Sequence, residues 1–237
     1  MRTLRSLLVW AFTWAYMLLA GILSLPWLLC TRRLGFIYAL ARVGIRALLA
    51  LAGVRLQVLG REHLIPGSVL YMANHQSNLD PPLALAVLPG ELAYLAKQQL
   101  FSVPLLGLVL RVGGLVPVDR SNRAAASASI ARAAASLRAG RPFIIFPEGT
   151  RSPDGRLLEF KKGPFYLAEQ AQTPVVPVAI SGSGACMPRG QWRIHPGLIR
   201  VSILPPIPLS AWATAPEPRA ALAAQVRARL QAATLET

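Results

Sequence analysis

The chain has 237 residues and a mass of 25.5 kDa, enough for one substantial domain with an appendage and too few for two full α/β domains. Apolar residues make up 54% and charged residues 15%, with a mean hydropathy of +0.45, which excludes a disordered chain, a coiled coil and an ordinary well-solvated cytosolic protein. The 25 Lys and Arg outnumber the 10 Asp and Glu, for a net charge of +15, so the expected partners are polyanions: nucleic acid, anionic lipid, phosphorylated substrates or an acidic carrier protein.

The first 60 residues hold Arg2, Arg5, Arg32, Arg33, Arg42, Arg46 and Arg55 and no acid. Cations embedded in Leu and Ala runs are the pattern of a membrane surface, whereas nucleic-acid binders interleave them with polar and aromatic residues, so lipid is favoured and no nucleic acid is expected. Leu7 to Cys30 is free of charge for 24 residues. As a helix this run spans about 36 Å, enough to cross a hydrocarbon layer of about 30 Å. A signal peptide would be shorter and followed by a small-x-small cleavage site, which is missing here. Arginines at both ends leave the orientation open, and Pro26 offers a bend that would return the segment to one leaflet. In the next apolar stretch, Leu34 to Ala52, Arg42 and Arg46 stand four apart on one helical face, the pattern of an interfacial helix lying among headgroups or of a packed helix with two snorkelling arginines. Residues 1–54 are thus read as a membrane-associating two-helix segment.

From residue 55 to 237 short β-rich runs alternate with helical stretches. Runs 56–59, 69–73, 92–96, 115–118, 143–146, 175–180 and 199–204 read as strands, and 82–87, 121–139, 163–171 and about 216–234 as helices. Alternation of this kind predicts an α/β sandwich around a central, largely buried mixed sheet. Cys30 and Cys186 lack metal-ligand or disulfide spacing, and no metal or resident cofactor is expected.

Two polar clusters directly follow predicted strands, where α/β folds place their sites. The first is Asn74-His75-Gln76-Ser77-Asn78-Leu79-Asp80 before Pro81 and Pro82. Asp followed by Pro is a helix N-cap signal, and the same carboxylate could accept from an imidazole Nδ1–H, leaving His75 Nε2 free as a general base. The second is Phe146-Pro147-Glu148-Gly149-Thr150-Arg151-Ser152, in which Gly149 allows close backbone approach and Arg151 offers a planar fork for phosphate. Ser181-Gly-Ser183-Gly is not a Gly-x-Ser-x-Gly nucleophile elbow, and His63 and His195 fall in connecting segments, which speaks against a serine hydrolase and leaves His75 as the one histidine in a polar constellation.

Together these clusters resemble the glycerolipid acyltransferase family. Its Asn-His-x4-Asp motif is met by Asn74, His75 and Asp80, its second motif by Gly114 to Arg120, its Phe-Pro-Glu-Gly-Thr-Arg-Ser motif in full by Phe146 to Ser152, and its Val-Pro-Val by Val176 to Val178. Lys97 with Leu100, Pro104 and Gly107, and Phe160-Lys161-Lys162-Gly163, fit as well; Gln99 and Pro164 depart from the pattern. The resemblance covers about 60–208. It implies a membrane-bound O-acyltransferase of phospholipid biosynthesis that moves an acyl group from a thioester, acyl-CoA or an acylated carrier protein, to the sn-2 hydroxyl of 1-acylglycerol-3-phosphate, giving phosphatidic acid. His75 and Asp80 would be catalytic, and Lys97, Arg120, Glu148, Gly149, Thr150 and Arg151 would contact substrate, with N–H groups near Gly149 as oxyanion donors. Glu148 would bind the glycerol portion or hold Arg151; Lys161 and Lys162 would contact phosphate or face solvent. The expected location is the cytoplasmic face of the inner membrane. Another lysolipid, such as a lyso-ornithine lipid, as acceptor, or a non-catalytic basic membrane-binding protein, are the alternatives.

Overall fold

The computed structural model of the chain describes residues 2–119 and 122–235. Helix α1 (Arg2–Thr31) runs unbroken through Pro26, so that proline does not return the segment. The reversal comes at 32–34, where Arg32 takes φ +54° and Trp27 Nε1 donates to the Arg33 carbonyl at 3.2 Å. Helix α2 (Gly35–Ala52) then runs back along α1. The two approach closely at Gly44, where the Tyr16 ring lies against the position a Cβ would occupy and the Tyr16 hydroxyl donates to the Leu40 carbonyl at 2.8 Å.

The rest is a seven-stranded sheet: β1 (Val54–Leu59), β2 (Leu70–Ala73), β3 (Ala93–Lys97), β4 (Val116–Val118), β5 (Phe143–Ile145), β6 (Val175–Ser181) and β7 (Gly197–Ile203), in spatial order β1-β7-β6-β2-β5-β3-β4. All neighbours are parallel except β6 with β7, so the sheet is mixed, as the sequence implies. Each strand lies within a residue or two of its expected position. Period-two alternation sends side chains to two cores. In β2, Leu70 and Met72 pack beneath α5 (Arg123–Arg138), α6 (Gly163–Ala171) and α8 (Pro218–Leu235), while Tyr71 and Ala73 pack toward α2 and α3 (Asp80–Val87). Two short helices, α4 (Leu106–Val112) and α7 (Ser183–Cys186), are additional to those the sequence predicts.

The amino-terminal hairpin shares the first of these cores: Val9, Tyr38, Leu49 and Ala52 are buried in it. Helix α1 also docks on the loop before β7, where Ser6 Oγ accepts from Ile194 N at 3.0 Å and Trp10 Nε1 donates to the Trp192 carbonyl at 2.8 Å. The apolar windows of α1 and α2 are nevertheless only 11% and 22% buried, leaving Leu4, Leu8, Leu18, Ile22 and Leu29 on an uncovered face of α1. Both helices are long and apolar enough to cross a membrane.

Arg42 corrects the interfacial reading of α2. Its guanidinium donates to the carbonyls of Leu85, Leu88 and Gly90 at 3.2, 3.2 and 2.5 Å, which places a cation on the C-terminal carbonyls of α3. It fastens α2 to the sheet domain rather than to headgroups; Arg46, four residues on, remains exposed. Arg42→Ala is expected to lower stability by about 1.5–3 kcal/mol, the range for hydrogen bonds to a charged group, against about 0.5 kcal/mol or less for Arg46→Ala, read as thermal unfolding of the full chain in detergent.

Candidate active site

β2, β5 and β3 run parallel and adjacent, so their C-terminal ends bring Asn74–Asp80, Phe146–Ser152 and Lys97 to one edge of the sheet. Asn74 extends the sheet with its side chain: its Nδ2 donates to the Ile180 carbonyl at 2.8 Å and its Oδ1 accepts from Ile180 N at 2.7 Å. The end of β2 is thereby pinned to β6 just before His75.

Asp80 is fully buried, and its Oδ2 accepts from His75 Nδ1 at 2.7 Å, Gln76 N at 2.6 Å and Ser77 N at 2.8 Å. With Nδ1–H donating to the carboxylate, Nε2 is the imidazole nitrogen with a lone pair, and it makes no hydrogen bond among the described residues. The expected cap role of Asp80 is not what forms: Leu79 stands at the N-cap, Asp80 is the first helical residue, and its carboxylate folds back onto the preceding loop. Asp-Pro does mark a helix start here, but the loop N–H groups outcompete those of the helix for this oxygen. The His75 ring is stacked on Phe146, with centroids 4.2 Å apart, and its side chain is 13% exposed.

The second loop holds the His75 backbone from both sides. His75 N donates to Glu148 Oε1 at 2.7 Å, and Ser152 N donates to the His75 carbonyl at 2.7 Å. Glu148 Oε2 accepts from Leu158 N at 2.9 Å. Glu148 is 1% exposed with both oxygens on main-chain N–H groups, so the expectation that it contacts glycerol or holds Arg151 is corrected: it braces His75. Burial raises its pKa above the ordinary 4.5, opposed by the N–H groups of Leu158 and His75. Gly149 takes φ +68°, and its N–H closes a turn on the Phe146 carbonyl at 3.0 Å, so this N–H is engaged within the loop rather than presented as an oxyanion donor.

Lys97 is exposed at the end of β3, Thr150 is exposed, and Arg151 is half-buried between Thr150 and the buried Ser152, all at the same edge. Arg120 lies outside the described residues. An apolar cavity of about 370 Å³ lies between α1, α2, α3 and α4; its lining includes Met17 and Ile37 of the hairpin and Asn78, Leu79 and Pro82, which flank Asp80 in the chain. Among the described residues no group of three His, Cys, Asp or Glu side chains could hold a metal ion.

The family profile named Acyltransferase matches residues 55–181, which contain every residue of this arrangement except those of the hairpin. The chain belongs to the acyltransferase family. It is 35% identical over 206 residues to a 1-acyl-sn-glycerol-3-phosphate acyltransferase of Limnanthes alba, covering 86% of this chain and 71% of the relative. It is 35% identical over 179 residues to the 1-acyl-sn-glycerol-3-phosphate acyltransferase alpha of Homo sapiens, covering 75% and 62%. The crystal structure of the 1-acyl-sn-glycerophosphate (LPA) acyltransferase PlsC from Thermotoga maritima superposes with a TM-score of 0.85 at 27% identity, over 100% of this chain and 97% of that one.

The roles of three residues of this acyltransferase site are not legible in the sequence. Asn74 belongs to a motif, but its bracing role is revealed only by the position of β6. Arg189, whose Nη1 donates to the Arg151 carbonyl at 3.1 Å, adds a cation at the site edge from a loop with no motif to mark it. Ser77 Oγ donates to the Met187 carbonyl at 2.8 Å and so ties the same distant loop to the histidine loop. Ser183, by contrast, is fully buried and starts α7.

Replacing Glu148 with Gln puts an amide N–H₂ against one of two backbone N–H donors. The acyltransferase should lose about 1–3 kcal/mol of stability, and kcat should fall by about tenfold or more while acceptor KM changes little. The raised pKa sets the sign of the pH effect. The folded state holds the Glu148 proton to higher pH than the unfolded state, so the wild type's stability advantage over Glu148→Gln should shrink as pH rises from 4.5 through the raised value. An advantage that grows over that interval would contradict the assigned burial effect.

Proposed function

We propose that this acyltransferase moves a fatty acyl group from a thioester to the sn-2 hydroxyl of 1-acylglycerol-3-phosphate, yielding phosphatidic acid at the cytoplasmic face of the inner membrane. The observation that carries the reading is the His75–Asp80 contact of 2.7 Å, next in the chain to Asn78, Leu79 and Pro82, which line an apolar cavity. The relatives support this acceptor, because they are 1-acyl-sn-glycerol-3-phosphate acyltransferases.

In this reading His75 Nε2 takes the proton of the acceptor hydroxyl as its oxygen attacks the thioester carbonyl. Asp80 faces the resulting imidazolium through Nδ1 and stabilises its charge. Collapse of the tetrahedral intermediate breaks the C–S bond, and the departing thiolate takes the proton from Nε2, so that an ester and a free thiol leave and His75 returns to its starting form. No enzyme nucleophile is needed: Ser77 Oγ is committed to Met187 and Ser152 Oγ to Asp154 Oδ1 at 3.1 Å. The apolar cavity suits an acyl chain, which needs contact with methylene and aromatic groups and little hydrogen bonding. Lys97, Arg151 and Arg189, with Arg120 by resemblance, supply cations for the acceptor phosphate. The uncovered apolar face of α1, with Arg32 and Arg33 at the turn of the hairpin, supports seating on an anionic leaflet, where each cation near the surface contributes about 1 kcal/mol.

Purified full-length protein given labelled acyl-CoA or acylated carrier protein together with lysophosphatidate should form phosphatidic acid, and His75→Ala should reduce turnover by about 10²-fold or more while the protein stays folded. Asp80→Asn should likewise cost about 10²-fold or more, and Arg151→Ala should raise KM for lysophosphatidate more than it lowers kcat. Acylation of a phosphate-free lysolipid in preference to lysophosphatidate would contradict the acceptor, and a fully active His75→Ala would contradict the mechanism.

A further inference from the structure

Outside the catalytic edge, the amino-terminal ends of α6 and α8 meet around a cavity of about 450 Å³ lined by Phe160, Lys161, Lys162, Tyr166, Glu217 and Arg219. The cavity adjoins the active site through one strap of chain. Leu158 N donates to Glu148 Oε2, Lys161 N donates to the Pro147 carbonyl at 2.8 Å, and the Lys161 side chain lies against Gly149, where a Cβ would stand 3.2 Å from its Cγ. The transfer chemistry above assigns no role to Lys161, Lys162, Tyr166 or Arg219.

Their chemistry fits one kind of molecule. Lys161 and Lys162 are exposed with no acid in the first turn of α6, and the first turn of α8 also carries none. Three cations, Lys161, Lys162 and Arg219, therefore line the cavity with Glu217, and Glu169 pairs with Arg219 from outside it, so Lys161 and Lys162 carry the surplus charge with the positive ends of two helices behind them. Arg219 lies over the Tyr166 ring, with its guanidinium carbon 4.1 Å from the centroid, and is steadied by Glu169 Oε2 at 3.6 Å. Arg227 lies over the Phe160 ring at 5.0 Å on the adjoining face. Guanidinium–aromatic pairs next to lysines suit a nucleobase carrying phosphates: a π-surface for the base and mobile point charges for the anions.

Resting on the acyltransferase reading, we propose that the cleft between α6 and α8 binds the phosphorylated nucleotide end of an acyl-coenzyme A donor, with the base against the Tyr166–Arg219 stack and the phosphates on Lys161 and Lys162. The flexible arm of the donor then passes over the Lys161 strap to bring its thioester to His75. An acidic carrier protein would call for cations spread over an open surface; here they converge on a concavity with aromatic walls.

The test is calorimetric binding of coenzyme A and of dephospho-coenzyme A to the full chain in detergent, with steady-state KM values for acyl-CoA and lysophosphatidate measured alongside. Lys162→Glu and Tyr166→Ala, both at exposed positions, should each weaken coenzyme A binding and raise the acyl-CoA KM by about tenfold or more, and loss of the 3′-phosphate should weaken binding to wild type more than to Lys162→Glu. The lysophosphatidate KM and the unfolding temperature should stay unchanged. Wild-type-like coenzyme A binding in both variants, a rise confined to the lysophosphatidate KM, or a loss seen only with acylated carrier protein would each overturn the assignment. Because binding is read without turnover, the two readings fail separately: a wild-type chain that forms no phosphatidic acid with any donor contradicts the acyltransferase reading, whereas normal turnover with unaltered binding in the variants contradicts the nucleotide site alone.

Discussion

Asp80 Oδ2 accepts from His75 Nδ1, Gln76 N and Ser77 N within 2.6–2.8 Å, and the position of the reactive imidazole depends on that single oxygen. A fully buried carboxylate is costly to desolvate, and three short charge-assisted donors are what make it tenable. The same three bonds curl residues 75–80 into a tight loop, so holding Oδ2 and aiming the histidine are one event, while Oδ1 stays buried with no hydrogen-bond partner among the described residues. Around it, Glu148 and Ser152 grip the His75 backbone at its N–H and its carbonyl, and Phe146 stacks against the ring. An imidazole held at four points loses little freedom when substrate arrives, which is the physical content of preorganisation.

In the proposed function, the two substrates approach from opposite faces of the sheet. One face carries the α1–α2 hairpin, whose inner side shares the core and whose outer side remains apolar and uncovered; a cavity lined by its helices and by Asn78, Leu79 and Pro82 lies on this side. The other face carries α5, α6 and α8 and is where the basic, aromatic cleft opens. Both meet at the C-terminal edge of β2 and β5. Arg42 and Tyr38 make this division rigid from below: Arg42 caps the end of α3, and the Tyr38 hydroxyl, 2.9 Å from the Leu92 carbonyl, accepts from Arg141 Nη2 at 2.6 Å.

Much of this is legible in the residues. The seven strands announce themselves as short apolar runs because a sheet covered on both faces buries both sides of each strand. The Asn-His-x4-Asp and Phe-Pro-Glu-Gly-Thr-Arg-Ser clusters stand out because polar residues at strand ends have few other reasons to be so dense. What stays hidden depends on partners distant in the chain. Arg42 looks like a headgroup ligand because its acceptors are backbone carbonyls, which no side-chain pattern reports. Glu148 looks like a substrate contact because its two N–H donors lie 73 and 10 residues away. Asp80 looks like a helix cap because the sequence Asp-Pro gives the same signal whichever N–H groups the carboxylate then accepts from. Helix α4 escapes notice because it is only seven residues long, enters from Leu105 at φ +60° and is fixed by tertiary contacts such as Arg111 Nη2 donating to the Phe101 carbonyl.

The claim on which the account turns is that Asp80 holds His75 with the proton on Nδ1 and a bare Nε2 directed at substrate. The ¹⁵N resonances of the His75 ring in the full chain, assigned by comparison with His75→Ala, measure this directly. The account predicts a protonated Nδ1 and an unprotonated Nε2 in the neutral ring, with that preference weakened in Asp80→Asn. A neutral ring protonated on Nε2 in the wild type, or a tautomer indifferent to Asp80→Asn, would contradict it.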